Sequence, residues 1–184
     1  KDGVQYQRKY FISYPDSVMV MKFTANQSGK QNLILSYCPN SEAKSNLRAD
    51  GKDGLVYTGV LDNNGMKFAF RIKAIHKGGT LEAENDRLIV KGADEVVFLL
   101  TADTDYKMNF NPDFKDPKTY VGNDPEQTTR IMMDQAVQKG YDELYRNHEA
   151  DHTALFNRVR LQLNPDISSP NLPTYQRLAN YKKG

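Results

Sequence analysis

Five consecutive residues form the one pattern in this sequence that spells a familiar chemistry, His148-Glu149-Ala150-Asp151-His152. Two histidines one helical turn apart can hold a single Zn²⁺, and the glutamate between them can activate a bound water. Such a site needs a third protein ligand, usually downstream. After His152 the chain has no histidine and no glutamate, and Asp166 is its sole carboxylate side chain there. His76, the remaining histidine, lies upstream at a strand end. The better reading puts His148, Asp151 and His152 on or near a buried helix stripe, hydrogen-bonded at a junction between domains. The zinc hydrolase is kept as the remoter of two alternatives. No metal ligand, catalytic residue or cofactor is assigned.

Other carboxylates are weaker candidates. Asp103 and Asp105 would point the same way if their strand continued, but aspartates at a strand end usually hydrogen-bond nearby backbone. If chemistry resided in this chain, they would be the first residues to mutate. Asp50 and Asp53 lack enough neighbouring oxygen ligands for a calcium loop. The 11 tyrosines could stack on sugar rings, but tryptophan is absent. Tyrosine on alternating strand positions packs across strands more often than it binds a ligand. The sequence contains no phosphate-binding glycine loop and no nucleophile elbow.

The elements that must position these residues fall into two regions. From residue 1 to about 102, short strands and turns alternate. Val4 to Tyr14 alternates in polarity, and Pro15 and Asp16 turn the chain. Val18 to Phe23 is apolar on both faces, which predicts a central strand. Leu33 to Tyr37 and Leu55 to Leu61 follow, and Asp62-Asn63-Asn64-Gly65 is a hairpin signal. In the next strand Met66, Phe68, Phe70, Ile72 and Ala74 share one face, and Lys77-Gly78-Gly79 closes it. Shorter strands are predicted around Leu81, over Leu88 to Val90, and over Val96 to Leu100. Hairpin-linked short strands in this number predict a mainly β fold, an antiparallel β-sandwich over residues 1–123.

A polar loop from Ala102 to Asn123 leads to helices. Loops of that length are often functional or packed on a neighbour. Asp124 is the expected N-cap and Pro125 the first helical residue. Gly140 stops this helix, and a second runs from Tyr141 to Asn157. Leu144, His148, His152, Leu155, Phe156 and Val159 form its apolar stripe at helical spacing. Docking is expected through Leu144, Leu155 and Phe156. Val159, Leu161 and Leu163 alternate as a return strand, so 124–163 reads as a helical linker. Pro165, Pro170 and Pro173 mark the segment 164–184, where Thr174 is expected to cap a last helix, Tyr175 to Tyr181.

Composition narrows the function classes. The 25 basic and 23 acidic residues leave a net charge of +2, too small to recruit nucleic acid or an anionic membrane. No apolar run approaches the ~18 residues needed to span a bilayer. The single Cys38 excludes an internal disulfide and a cysteine zinc site. The chain opens on Lys1 in mid-pattern, without an initiator methionine or a signal peptide, and is expected to be a fragment.

Several segments together resemble one family. KYFISYPDSVMVMKFTA is similar to the REYFxSYPDxVxVxRxTA signature of the amino-terminal domain of glycoside hydrolase family 95. Gly78-Gly79, VVFLLTADTDY, GYDELYRNHEADHTALFNRVRLQL and LPTYQRL follow in the family's order over almost the whole chain. Arg8-Lys9 departs from the family's Arg-Glu. In the family pattern His148 and the aspartate three later, Asp151, recur, which makes the zinc match coincidental.

The resemblance implies a modular α-L-fucosidase, some relatives acting on α-L-galactosides. Such enzymes carry an amino-terminal β-sandwich, a helical linker, a catalytic (α/α)₆ barrel and a carboxyl-terminal β-domain. This chain would then be the later part of a supersandwich-like, incomplete sandwich, its helical linker, and the approach to a missing barrel. The barrel carries the family's catalytic groups, so none is carried over here. The resemblance also implies export to the periplasm, cell surface or exterior, with the barrel of the same parent chain as partner. The glycan substrate would be met only through the parent enzyme. The first alternative, from another class, is a free-standing carbohydrate-binding β-sandwich. A sandwich lacking its earlier strands is expected to leave an open edge or uncovered apolar face, and so to self-associate.

Overall fold

The computed structural model describes residues 3–37, 43–84, 86–161 and 172–182. Within them the chain runs β1 (Tyr6–Ser13), β2 (Val18–Ala25), β3 (Gln31–Ser36), β4 (Ala43–Ala49), β5 (Gly54–Leu61), β6 (Lys67–Lys77), β7 (Thr80–Ala83), β8 (Arg87–Ala93), β9 (Glu95–Thr104), α1 (Pro125–Phe156) and α2 (Thr174–Tyr181). Six strands form one sheet in the order β1-β2-β9-β6-β5-β4, and three form another, β3-β8-β7. Every strand pairing is antiparallel. The mainly β expectation holds.

Strand periodicity explains the layers. Residues 18 and 20 of β2 and 97 and 99 of β9 share one face, where Val18, Val20, Val97 and Leu99 join Phe11 and pack against Met133, Ala136 and Leu144 of α1. The alternate residues, Val96 and Phe98 of β9 with Ile72 and Ala74 of β6, form a second core with Leu88, Val90 and Ala93 of β8. The large sheet is therefore covered by the small sheet on one face and by α1 on the other. β9 is apolar on both faces because both are covered. β2, flanked by β1 and β9, is central as its sequence predicts.

Gly79 has φ +65, and an added Cβ would collide with the Lys91 carbonyl. Only glycine fits the tight passage from β6 into β7. Gly140, at φ 73 and ψ 171, breaks α1 where the sequence places a stop.

Several expectations are corrected. The polar segment Ala43–Ala49 forms β4, which the sequence reading passed over. β9 continues to Thr104, so the long loop begins at 105 rather than 102. Of the stripe expected to dock, Leu144 is buried, but Leu155 is 53% and Phe156 70% exposed. Val159 and Leu161 lie in no strand. Among the described residues no strand pairs with them to turn their alternation into a ladder. The rest of the return strand, the segment around Pro165 and Pro170, and Cys38 lie outside the described residues. Pro173, not Thr174, occupies the N-cap of α2, and no side chain caps it.

Contacts divide the chain into two compact units, Lys1–His152 and Thr153–Gly184. Most of α1 thus belongs to the unit that contains the sheets. The second unit comprises the last turn of α1 and α2, a helix without a buried residue.

Candidate functional site

One sequence candidate, His148, and the longest-range polar contacts meet where the β1–β2 hairpin packs on α1. Tyr14 to Ser17 forms the turn, closed by the Ser17 amide donating to the Tyr14 carbonyl at 3.2 Å. That turn aims the Asp16 carboxylate at the helix. The Lys139 ammonium donates to its Oδ1 at 2.6 Å, Asn147 Nδ2 donates to both oxygens at 3.1 and 3.2 Å, and Ser13 Oγ donates to Oδ2 at 2.5 Å. The Asp16 side chain is only 2% exposed. Burial pushes its pKa up, but the bonds from Lys139, Ser13 and Asn147 outweigh burial and hold it below the ordinary aspartate value. Lys139 and Asn147 flank Gly140, so one carboxylate grips α1 on both sides of its break.

Beside this contact Phe11, almost fully buried, is enclosed by three rings of α1. Tyr141 and Tyr145 meet it edge-on at 5.9 and 5.5 Å, and His148 stacks on it at 5.0 Å with 26° between planes. Lys22 reaches over the Tyr141 ring at 4.2 Å and pairs with Glu95 at 2.7 Å. At the other end of α1, Asp124 caps the helix, its Oδ1 accepting the Glu126 amide at 3.0 Å. Thr101 of β9 donates to the Thr129 carbonyl at 3.0 Å. The helix is thereby bonded to the sheet near both ends of its packed stretch.

The histidines and the other candidate carboxylates each have a described environment, except Asp166, which lies outside the described residues; Asp151 is half-buried on α1. His148 is half-buried and occupied in stacking, His152 is exposed with its ring 5.8 Å from His148, and Glu149 is exposed. His76 Nδ1 lies 2.8 Å from the Gly78 carbonyl, at the far end of β6. Among the described residues no group of three His, Cys, Asp or Glu side chains converges as a metal site would require. Asp103 accepts the Thr104 amide at 2.8 Å. The buried Asp105 accepts the Lys67 amide at 2.9 Å. Both hydrogen-bond backbone, as strand-end aspartates do. Asp50 pairs with the buried Arg71, and Asp53 with Lys73 at 3.0 Å. The structure does not bring these carboxylates together with the histidines in one described site.

Sequence reasoning missed the partners of Asp16. Pro15-Asp16 read only as a turn, and Lys139 and Asn147 as ordinary helix surface. Also unforeseen is a cavity of about 440 Å³ lined by Lys44, Asn46, Thr58, Val60 and Lys67 from the sheet and Asp124 to Glu126 from the start of α1.

Such a fold and junction define a class of domain, an antiparallel β-sandwich that carries a long helix clamped to one face. Residues 1–109 match the family described as glycosyl hydrolase family 65, N-terminal domain, and the chain belongs to that family. The expectation of a glycoside hydrolase amino-terminal domain thus holds, although the matching description is family 65 and not family 95. Two relatives carry the likeness further. "Probable alpha-fucosidase A" of Aspergillus niger is 26% identical over 187 residues, covering 96% of this chain and 23% of the relative. "Alpha-L-fucosidase 2" of Arabidopsis thaliana is 26% identical over 208 residues, covering 98% and 24%. The chain therefore spans about a quarter of the length of these relatives. No helix of the described residues is long and apolar enough to cross a membrane.

Proposed function

We propose that this chain is the non-catalytic amino-terminal sandwich of an exported α-L-fucosidase-like hydrolase of glycoside hydrolase family 95. Its work would be positional: it holds α1 in a fixed direction and so supports a catalytic barrel elsewhere in the same polypeptide. The observation that carries this reading is the pair of α-fucosidase relatives, each aligned with nearly all of this chain but with a quarter of its own length. The clamp on α1 supports the positional role, because a helix held by Asp16 and Phe11 can transmit orientation as a loose linker cannot. Glycoside hydrolysis by inversion needs two groups flanking the bond with room for water. Asp103 and Asp105, the carboxylates that would share one face of a continued strand, instead each accept a backbone amide.

The complete polypeptide is expected to hydrolyse 4-nitrophenyl α-L-fucoside and to be recovered outside the cytoplasm. Failure on α-L-fucosides and α-L-galactosides alike would sink the substrate assignment. The cavity at the start of α1 favours a second reading, a sugar-binding module. Its volume suits a small ligand, and it combines amide, hydroxyl, ammonium and carboxylate groups. Calorimetric titration of this chain with L-fucose and fucosylated oligosaccharides separates the two, since a scaffold requires no heat of binding.

A further inference from the structure

The loop between β9 and α1, residues 105–124, carries side chains that its own fold leaves uncovered. Phe110 is 94% exposed, Phe114 86%, Met108 57%, Val121 52% and Tyr106 50%. Isolated apolar residues on a surface are ordinary, but two nearly bare phenyl rings with three further apolar neighbours on one loop are not. The loop is also built rather than slack. At its root the Gly122 amide donates to the Asp105 carbonyl at 2.6 Å and the Lys107 amide to the Tyr120 carbonyl at 2.7 Å. Asn109 Nδ2 ties its middle to the Thr119 carbonyl at 3.2 Å, and the Tyr106 and Tyr120 rings stack at 6.0 Å. Ordering these residues in advance lowers the entropy that a partner must overcome.

We propose that this loop is the surface on which the rest of the parent polypeptide docks, with Phe110 and Phe114 as its anchors. The proposal rests on the reading of this chain as one part of a longer enzyme. The relatives hold about three quarters of their length beyond the aligned stretch. A partner in the same chain meets the loop at high effective concentration, so one patch suffices where two free molecules would need a larger interface. Two phenyl rings seated in a pocket are the kind of buried aromatic anchor that dominates such contacts.

Hydroxyl-radical footprinting tests this on the 184-residue chain and on the complete polypeptide. Oxidation of Phe110 and Phe114 should fall severalfold in the complete polypeptide. The double variant Phe110→Ser, Phe114→Ser should lower the unfolding midpoint of the complete polypeptide and leave that of the 184-residue chain unchanged. Equal oxidation in the two proteins would overturn the proposal. So would protection of the isolated chain that grows with its concentration, which would make a second copy the occupant, or protection by added fucosylated oligosaccharide alone. Footprinting involves no turnover, so protection in a polypeptide inert towards fucosides would sink the substrate reading and leave the docking surface standing.

Discussion

Asp16 and Lys139 stand 123 positions apart in the chain and meet at 2.6 Å, the carboxylate buried and the ammonium at the break in α1. Asn147 bonds the same carboxylate from beyond the break. Removing the carboxylate leaves the buried Ser13 hydroxyl and the half-buried Asn147 amide without this acceptor, and a buried donor left unpaired typically costs about 1–3 kcal/mol. Asp16→Ala is therefore expected to lower the urea midpoint and to speed amide exchange over residues 139–148. Exchange unchanged there would show that apolar packing alone fixes the helix.

The same group sets an acid limit. The folded-state pKa of Asp16 lies below the ordinary value of 3.8, burial opposing the shift and the bonds from Lys139, Ser13 and Asn147 prevailing. A depressed carboxylate contributes stability that is complete above its unfolded pKa and is lost as pH falls through the folded one. Glu95 acts with the same sign, burial opposed by its bonds to Lys22 and Lys77. Unfolding midpoints measured across the acid range should drop below about pH 4, and Asp16→Asn should flatten that drop.

Leu144 and Phe156 lie on one predicted stripe but differ in burial, with Leu144 fully enclosed and Phe156 70% exposed. Leu144→Ala should cost about 2–5 kcal/mol. Phe156→Ala should change the unfolding free energy of the Lys1–His152 unit by less than about 0.5 kcal/mol, as for most surface substitutions. Equal losses would mean that the last turn of α1 is packed more tightly in solution.

His148 faces Phe11, and this contact accounts for its place in the sequence without a metal. Elemental analysis of protein exposed to zinc and then dialysed should give far less than one zinc per chain. His148→Ala should lower stability through lost stacking, worth about 0.5–1.5 kcal/mol. One zinc per chain, lost in that variant, would restore the hydrolase alternative.

Among the described residues the small sheet has three strands against six, and β3 is paired on one side only. Tyr10 and Ile12 of β1, with Tyr14 just beyond it, are 54%, 65% and 84% exposed. Open edges and bare apolar residues invite pairing between chains, so self-association is proposed for this chain in isolation. Sedimentation should show dimers or larger species that dissociate in the variant Tyr10→Ser, Ile12→Ser. A monomer at all concentrations would mean that neither surface drives association.

Much of this architecture could be read from local signals. The alternation in Met66 to Ala74, the Asn-Gly hairpin and the doubly apolar Val18 to Phe23 each state strand, turn and burial within a few residues. The Asp124 cap, the Pro125 start and the Gly140 break were equally local. β4 escaped because Ala43–Ala49 contains a single large apolar residue, Leu47, and an edge strand needs little apolar surface of its own. The Asp16 contact escaped because its partners lie more than 120 positions away and are unremarkable as helix residues. The stripe through Phe156 misled because periodicity reports which residues share a face, not how much of that face is covered.

The most direct measurement of the positional role is turnover by the 184-residue chain itself. Rigorously purified chain, incubated with 4-nitrophenyl α-L-fucoside, should release no nitrophenol above the uncatalysed rate, while the complete polypeptide releases it readily. Sustained turnover by the chain alone, abolished by Asp103→Asn or Asp105→Asn, would place the chemistry here and contradict the account.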